Sequence, residues 1–376
     1  MKIIAFYLPQ FHEIPENDEW WGKGFTEWTN VKSAKPLFEG HKQPVVPLNH
    51  NYYNLLDNNT IRWQIELAKK YGVYGFCFYH YWFDGHMLLQ KPMENMLKDD
   101  SLNIPYCICW ANENWTNAWK ANGDVKTLIQ QTYGKQDEWK RHFDYLLPFF
   151  KDKNYICEDN KPFFAIYRPE IIPCLNEMLD YWNELAKANG FDGMTFAYQQ
   201  QSFHLLQGRD ESRFDYNIEY QPTYARYDLR NHQKSEAKRL AFKFRTAIRE
   251  CVYGIDKKLR TNISARLTKN SLHFEDYDEL CREIVDRKPD SKKAIPGMFV
   301  GWDNTPRRGK TGTVCLNSTP EKFEKYLRMQ IKNAKENYHK DMLFIFAWNE
   351  WAEGGYLEPD EEHKYGYLEA IKNAQK

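Results

Sequence analysis

Eight strand-like runs punctuate this chain, at residues 3–8, 74–82, 104–110, 162–167, 194–199, 216–220, 296–302 and 342–348, each bounded by Pro, Gly or Asn. Several are near-continuously apolar. That is the pattern of parallel strands covered on both faces, whereas a sheet with one wet face would alternate. Between them lie segments of helical period, at 60–71, 136–150, 173–189, 320–338 and 361–374. Eight strands alternating with helices predict an α/β chain of the (β/α)8 TIM barrel class before a doubly wound sheet. A barrel core takes ~250 residues, so about a third of the 376 is loop or insertion. One excess is residues 13–59, rich in Gly, Pro, Trp and Asn; the other is 223–293. We expect one barrel domain over 1–376 with long βα-loop insertions at these two places.

Composition narrows the class. Trp 13, Tyr 25 and Phe 23 make the chain 16% aromatic, and 52 basic residues balance 52 acidic ones. Such a chain can bury a large core and is not disordered. No apolar run approaches the ~20 residues of a membrane span. Pro9-Gln10 interrupts the first apolar run too soon for a signal peptide, which predicts a cytoplasmic location. The eight cysteines include no C-x-x-C pair and read as reduced core thiols. No H-E-x-x-H, EF-hand loop, P-loop or G-x-G-x-x-G is present, so neither metal nor cofactor is expected. Residues 226–269 hold 13 Lys/Arg against 4 Asp/Glu. This basic stretch reads as a solvated helical face or as a peripheral contact for anionic headgroups or a pyrophosphate-linked carrier. No nucleic-acid motif accompanies it.

Barrel enzymes build their active sites where strands end and βα loops begin. Those positions hold Tyr7 and Gln10; His80, Tyr81 and Trp82; Trp110, Asn112 and Glu113; Tyr167 and Arg168; Gln199; Glu219 and Tyr220; Trp302 and Asp303; and Trp348 and Asn349. Carboxylates, amides and one Arg interleave with Trp and Tyr. A sugar asks for this mixture, because its C–H faces stack on rings while its hydroxyls want amide and carboxylate partners. Each aromatic taken singly reads equally well as core. Glu27 and Trp28, in the long first loop, belong either to a substrate-contacting lid or to a packed structural loop. His80 reads as a functional or a buried, satisfied histidine.

The sharpest constellation is Glu350 and Glu353, three apart at the end of an apolar strand, after Asn349 and before two glycines. On a helical turn both carboxylates face one space. Such a pair is the equipment of glycoside hydrolysis, one group giving a proton and the other acting as base or nucleophile. Crowding separates their proton affinities. The alternative is a helix cap or surface ion pairs.

The motifs Tyr7-Leu-Pro-Gln-Phe-His12, Trp21-Gly-Lys-Gly-Phe-Thr-Glu-Trp-Thr-Asn-Val31, Gly75-Phe-Cys-Phe-Tyr-His-Tyr-Trp82, Cys109-Trp-Ala-Asn-Glu-Asn-Trp115 and Trp348-Asn-Glu-Trp-Ala-Glu-Gly354 resemble the WbsX-type family. Its members are called family-99-like glycoside hydrolases or glycosyltransferases of O-antigen clusters. The resemblance spans nearly the whole chain and implies a barrel. Residues 349–353 are also similar to the Asn-Glu-x-x-Glu element of family-99 endo-α-mannosidases. That likeness implies Glu350 as the base toward a sugar 2-OH and Glu353 as general acid, then base. It implies a substrate with O2 trans to the leaving group, as in α-mannosides and α-rhamnosides. Family-99 enzymes are usually secreted or membrane-anchored, which departs from the location expected here.

The leading expectation is therefore a retaining glycoside hydrolase or transglycosidase acting on a bacterial oligosaccharide or polysaccharide. A polysaccharide-assembling glycosyltransferase and a non-catalytic carbohydrate-binding barrel are the alternatives. The only Asp-x-Asp triplet, Asp276-Tyr-Asp278, lies in a helix-like charged stretch and reads as a solvated face rather than a metal-nucleotide site. The oligomeric state is not specified by the sequence.

Overall fold

A computed structural model of the chain describes residues 1–117, 126–201, 211–231 and 272–376. Eight parallel strands form its centre: β1 (Lys2–Tyr7), β2 (Gly75–Phe83), β3 (Tyr106–Trp110), β4 (Lys161–Ile166), β5 (Thr195–Gln200), β6 (Tyr216–Glu219), β7 and β8 (Met342–Phe346). Strand β7 comes in two pieces, Ala294–Ile295 and Gly297–Phe299, separated by Pro296. The first piece pairs with β6 (Asn217↔Ala294) and the second with β8 (Gly297↔Phe344). Pro has no N–H to give a ladder, and here the Pro296 carbonyl accepts from Phe344 N at 3.2 Å. β8 pairs in turn with β1 (Lys2↔Met342), so the ring closes into a TIM barrel. Gly297 permits the closure, because a Cβ there would lie 1.9 Å from the Glu219 carbonyl oxygen.

Alternation along the strands sends successive side chains to opposite faces. Phe6, Tyr79, Phe163, Tyr220 and Phe344 fill the lumen, with Phe6 ring centroids 5.5 Å from Tyr79, 5.8 Å from Tyr220 and 5.5 Å from Phe344. The opposite faces bury against the helices, which include α3 (Asn58–Tyr71), α5 (Gln136–Phe150), α6 (Leu175–Ala188) and α10 (Pro320–Asn333). Before α3, the first loop carries two short helices, α1 (Pro15–Trp21) and α2 (Glu27–Ser33). A capping box between Thr26 and Thr29 starts α2. Between α3 and α5 lies α4 (Lys91–Lys98).

The second excess begins with α7 (Thr223–Asn231) and resumes with α8 (Tyr277–Asp286). Most of the basic stretch 226–269 lies outside the described residues. Asp276 caps α8 by accepting from Glu279 N at 3.0 Å, and Asp278 accepts from Lys322 at 2.6 Å and Tyr326 at 2.7 Å. The seven described cysteines are all free thiols. Among the described residues no helix is long and apolar enough to cross a membrane.

Candidate active site

The two glutamates sit on a tight turn. Residues Asn349 and Glu350 pair antiparallel with Gly355 and Tyr356, and Trp351–Glu353 form the 3-10 turn between them. Gly354 closes it at φ +65°, where a Cβ would also lie 2.7 Å from Asp303 N. A buried carboxylate supports the turn from beneath. Glu358 accepts from Tyr53 Oη at 2.7 Å, Gln64 Nε2 at 2.7 Å, Trp348 Nε1 at 3.1 Å and Trp351 Nε1 at 2.7 Å. Burial nevertheless pushes Glu358 up to about 7.

A residue that sequence reasoning missed organises the centre. Arg307, on the four-residue helix α9 (Thr305–Arg308), donates from Nη2 to Glu350 Oε1 at 3.0 Å and from Nη1 to Glu353 Oε1 at 2.9 Å. It also meets Glu27 Oε2, at 3.2 Å from Nε and 3.1 Å from Nη2, and Gln10 Oε1 at 3.4 Å. The side chains of Arg307, Glu27 and Glu350 are 7%, 3% and 4% exposed, against 22% for Glu353. Burial opposes the Arg307 charge, but Glu27, Glu350 and Glu353 outweigh it and leave the guanidinium firmly protonated. Burial raises the proton affinity of Glu350 well above the ordinary carboxylate range; Arg307 opposes the rise, and Glu353 and Glu27 add to it. The sequence carried one weak signal for Arg307, namely a cation five residues past the end of a barrel strand.

Asp303 aims this arginine. Its Oδ2 accepts from His41 Nε2 at 2.8 Å and Gln43 Nε2 at 2.7 Å, both from the first loop. Its Oδ1 accepts from Thr305 N at 3.0 Å and Thr305 Oγ1 at 2.6 Å, fixing the start of α9. Its own N–H donates to Glu353 O at 2.7 Å, so α9 and the glutamate turn share one frame.

Of the other expected residues, Gln10 and Tyr81 reach this centre: Gln10 Nε2 donates to Tyr81 Oη at 3.0 Å, and Tyr81 stands edge-on to Trp115 at 5.0 Å. Gln199 lies deeper in the lumen, donating to Tyr79 Oη at 3.1 Å. Trp302 flanks Phe346 at 5.4 Å and carries the Arg226 guanidinium 4.5 Å over its ring. Glu113 pairs with Arg168 at the β3 and β4 ends, and Asn112 ties that corner by bonding Arg168 N and O at 2.8 Å each.

The remainder face elsewhere, and on the barrel strands alternation turns them toward the helix layer. Tyr7 donates to Gln64 of α3 at 2.7 Å. His80 contacts His142 of α5 at 3.0 Å, and burial lowers it to about 3, leaving a neutral ring. Trp82 donates to Glu138 at 2.6 Å, and Trp110 to the Trp82 carbonyl at 3.3 Å. Glu219 accepts from Tyr338 Oη at 3.0 and 2.9 Å, and burial pushes it up to about 8. Trp28 packs on Phe11 at 4.5 Å and donates to Tyr53 O at 2.8 Å. Trp348 serves Glu358, and Asn349 spends its amide on Leu8, accepting from N at 2.8 Å and donating to O at 3.0 Å.

Two hollows adjoin the centre. A cleft lined by Asn17, Trp21, Phe25, Asn30, Leu89 and Trp115 runs to Gln10 and Glu27. Beyond the glutamate turn, a cavity of about 410 Å³ is lined by Phe38, Trp302, Asp303, Gly354, Tyr356 and Tyr367, among others. Among the described residues no cluster of three His, Cys, Asp or Glu side chains has a metal-holding arrangement.

A family model described as "Glycosyltransferase WbsX" matches residues 3–371. Two curated relatives, each an "Uncharacterized protein WxcX" from a strain of Xanthomonas campestris pv. campestris, are 34% identical over 380 residues. The match covers 99% of this chain and 49% of each relative, so the chain spans about half the length of the curated relatives it matches. Among solved structures, a GH99 endo-α-mannosidase from Bacteroides thetaiotaomicron is similar with a TM-score of 0.57 at 14% identity, over 100% of this chain and 96% of that one. A "Glycoside hydrolase-like protein" is similar with a TM-score of 0.56 at 12% identity, over 100% and 94%. At these identities the likeness is one of fold.

Proposed function

The chain belongs to the WbsX family, and we propose that it is a carbohydrate-active enzyme cleaving α-manno-configured linkages, of mannose or rhamnose, in a bacterial polysaccharide or its precursor. Cleavage proceeds with retention, by hydrolysis or by transfer to a second sugar. The observation that carries the reading is the shared seat of Glu350 and Glu353, each holding one nitrogen of the same buried guanidinium at the barrel mouth.

In the reaction, Glu350 takes the proton of the sugar 2-OH as O2 attacks C1. Glu353 protonates the departing glycosidic oxygen, and the C1–O bond breaks. Glu353 then draws a proton from water or an acceptor hydroxyl as its oxygen attacks C1; the C1–O2 bond opens and O2 recovers its proton from Glu350. Two features support this division. Glu353 is the more exposed carboxylate, as suits a group that meets both leaving group and water. Glu350 is nearly sealed from water, its side chain 4% exposed, as suits a group that exchanges its proton only with the sugar 2-OH. The reactive form has one proton on the pair, so rate against pH is bell-shaped, with limbs that belong to the pair jointly.

The family's description favours a second reading, transfer from a nucleotide sugar. Both aspartates of the Asp276-Tyr-Asp278 triplet are engaged in capping and side-chain bonds, which weighs against their binding a nucleotide-bound metal. The test is release of reducing ends from α-mannoside and α-rhamnoside oligosaccharides. Glu353→Gln should lower it about 10²–10⁴-fold, the usual worth of a general acid, with glycan binding by calorimetry retained. Full activity in that variant overturns the assignment, and binding of a nucleotide-sugar donor moves the reading to the transferase.

A further inference from the structure

We propose that Arg307 is the positioning residue of this reaction: it holds Oε1 of Glu350 and Oε1 of Glu353 in one guanidinium plane and leaves Oε2 of each to the substrate. The inference rests on the reading of those glutamates as the reacting pair. A planar guanidinium presents its N–H groups in a fixed fork, so two carboxylates bound to Nη1 and Nη2 have their mutual orientation set by one rigid group. Among the described residues no hydrogen bond is made by Oε2 of either glutamate, whereas both Oε1 atoms are taken by Arg307.

The arginine is itself fixed from two directions. Glu27 of the first loop binds its Nε and Nη2, and Asp303, gripped by His41 and Gln43, sets the start of the helix that carries it. Residues 13–59 therefore orient the reacting carboxylates while contributing neither of them. Among the described residues, those facing Arg307 include Glu27 and Gln10 from the loop after β1, and Glu350 and Glu353 from the turn. Tyr81 of β2 and Tyr220 after β6 feel the same carboxylates. Among the described residues three carboxylates face this one cation, and Arg307 is what holds the proton affinity of Glu350 down, so removing the cation makes Glu350 harder to ionise. The acid limb of the rate profile then moves to higher pH.

The test uses the full chain and the variants Arg307→Lys, Arg307→Met and Arg307→Ala. Arg307→Met should lower kcat about 100-fold, the effect of misplacing reacting groups by about 1 Å, with KM within about threefold and the acid limb displaced upward. Guanidinium ion should restore part of kcat in Arg307→Ala, and Arg307→Lys should recover the pH profile more fully than the rate. Carbon-13 NMR titration of the Glu350 carboxyl reads the same displacement without any turnover. Unchanged kcat, a loss confined to KM, or a Glu350 titration that does not move between wild type and Arg307→Met overturns the proposal. If the wild type cleaves no glycan, the functional reading fails alone and the titration still decides the role of Arg307. Should Arg307→Met not fold, Arg307→Lys, which keeps the charge and loses the fork, carries the decision.

Discussion

Asn349 immediately precedes Glu350, and its amide is consumed by one residue of the first strand's exit. It is fully buried, accepting from Leu8 N at 2.8 Å and donating to Leu8 O at 3.0 Å. Asn349→Ala strands a buried N–H and a buried C=O, each worth about 1–3 kcal/mol, so it should cost about 2–6 kcal/mol of unfolding free energy. That is a large fraction of the ~5–15 kcal/mol a domain commands. Asn349→Asp is the sharper probe. It keeps the acceptor for Leu8 N but turns an oxygen toward Leu8 O. Ionised, that oxygen is buried and repelled; protonated, it donates and remakes the second bond. The folded state then binds this proton more tightly than the unfolded chain. The variant is closest to wild type below the unfolded value of about 3.9 and loses stability as pH rises through the higher folded value. Urea unfolding at pH 5 and pH 8 reads this directly. At pH 8 the deficit should be about 1–3 kcal/mol, shrinking toward pH 5, with KM for the cleaved oligosaccharide within about threefold of wild type. Wild-type stability combined with a tenfold higher KM would mean that the amide touches sugar, and the reasoning would be wrong.

Two further outcomes follow from the supports of the site. Burial pushes Glu358 from 4.5 up to about 7, so the stability it contributes is complete below about pH 4.5 and lost as pH rises through about 7. Relative to Glu358→Gln, the wild type should lose about 3 kcal/mol across that window, and a difference that does not vary with pH would contradict the burial argument. Asp303→Ala releases α9 from His41, Gln43 and its own first turn. We expect kcat to fall at least about tenfold as Arg307 loses its aim, measured on folded protein; an unchanged kcat would show that α9 needs no such frame.

The barrel was legible because its strands are apolar on both faces and their ends are punctuated. Every strand begins within two residues of expectation; β7 begins at Ala294 rather than 296, since Pro296 reads as a boundary but lies inside the strand where the ring closes. The site was legible in place but not in direction. Taking every polar or aromatic residue near a strand end gathered Tyr7, His80, Trp82, Trp110 and Glu219 with Tyr81 and Gln199, although alternation sends the first five outward. Counting by twos along each strand from a residue of known facing, such as Phe6 for β1 or Tyr79 for β2, sorts them. Arg307 was illegible for a different reason. Its role depends on Glu27, 280 residues away in sequence, and no local pattern encodes a meeting of that span.

That span also governs when the cluster can assemble. Glu27 is synthesised 280 residues before Arg307, and contacts this remote form late because so much chain entropy must be surrendered first. During translation the Glu27 carboxylate waits through that whole stretch without its cation. The carboxylate–guanidinium cluster is thus a late and all-or-none property of the nascent chain: a half-made barrel holds its first acidic member alone.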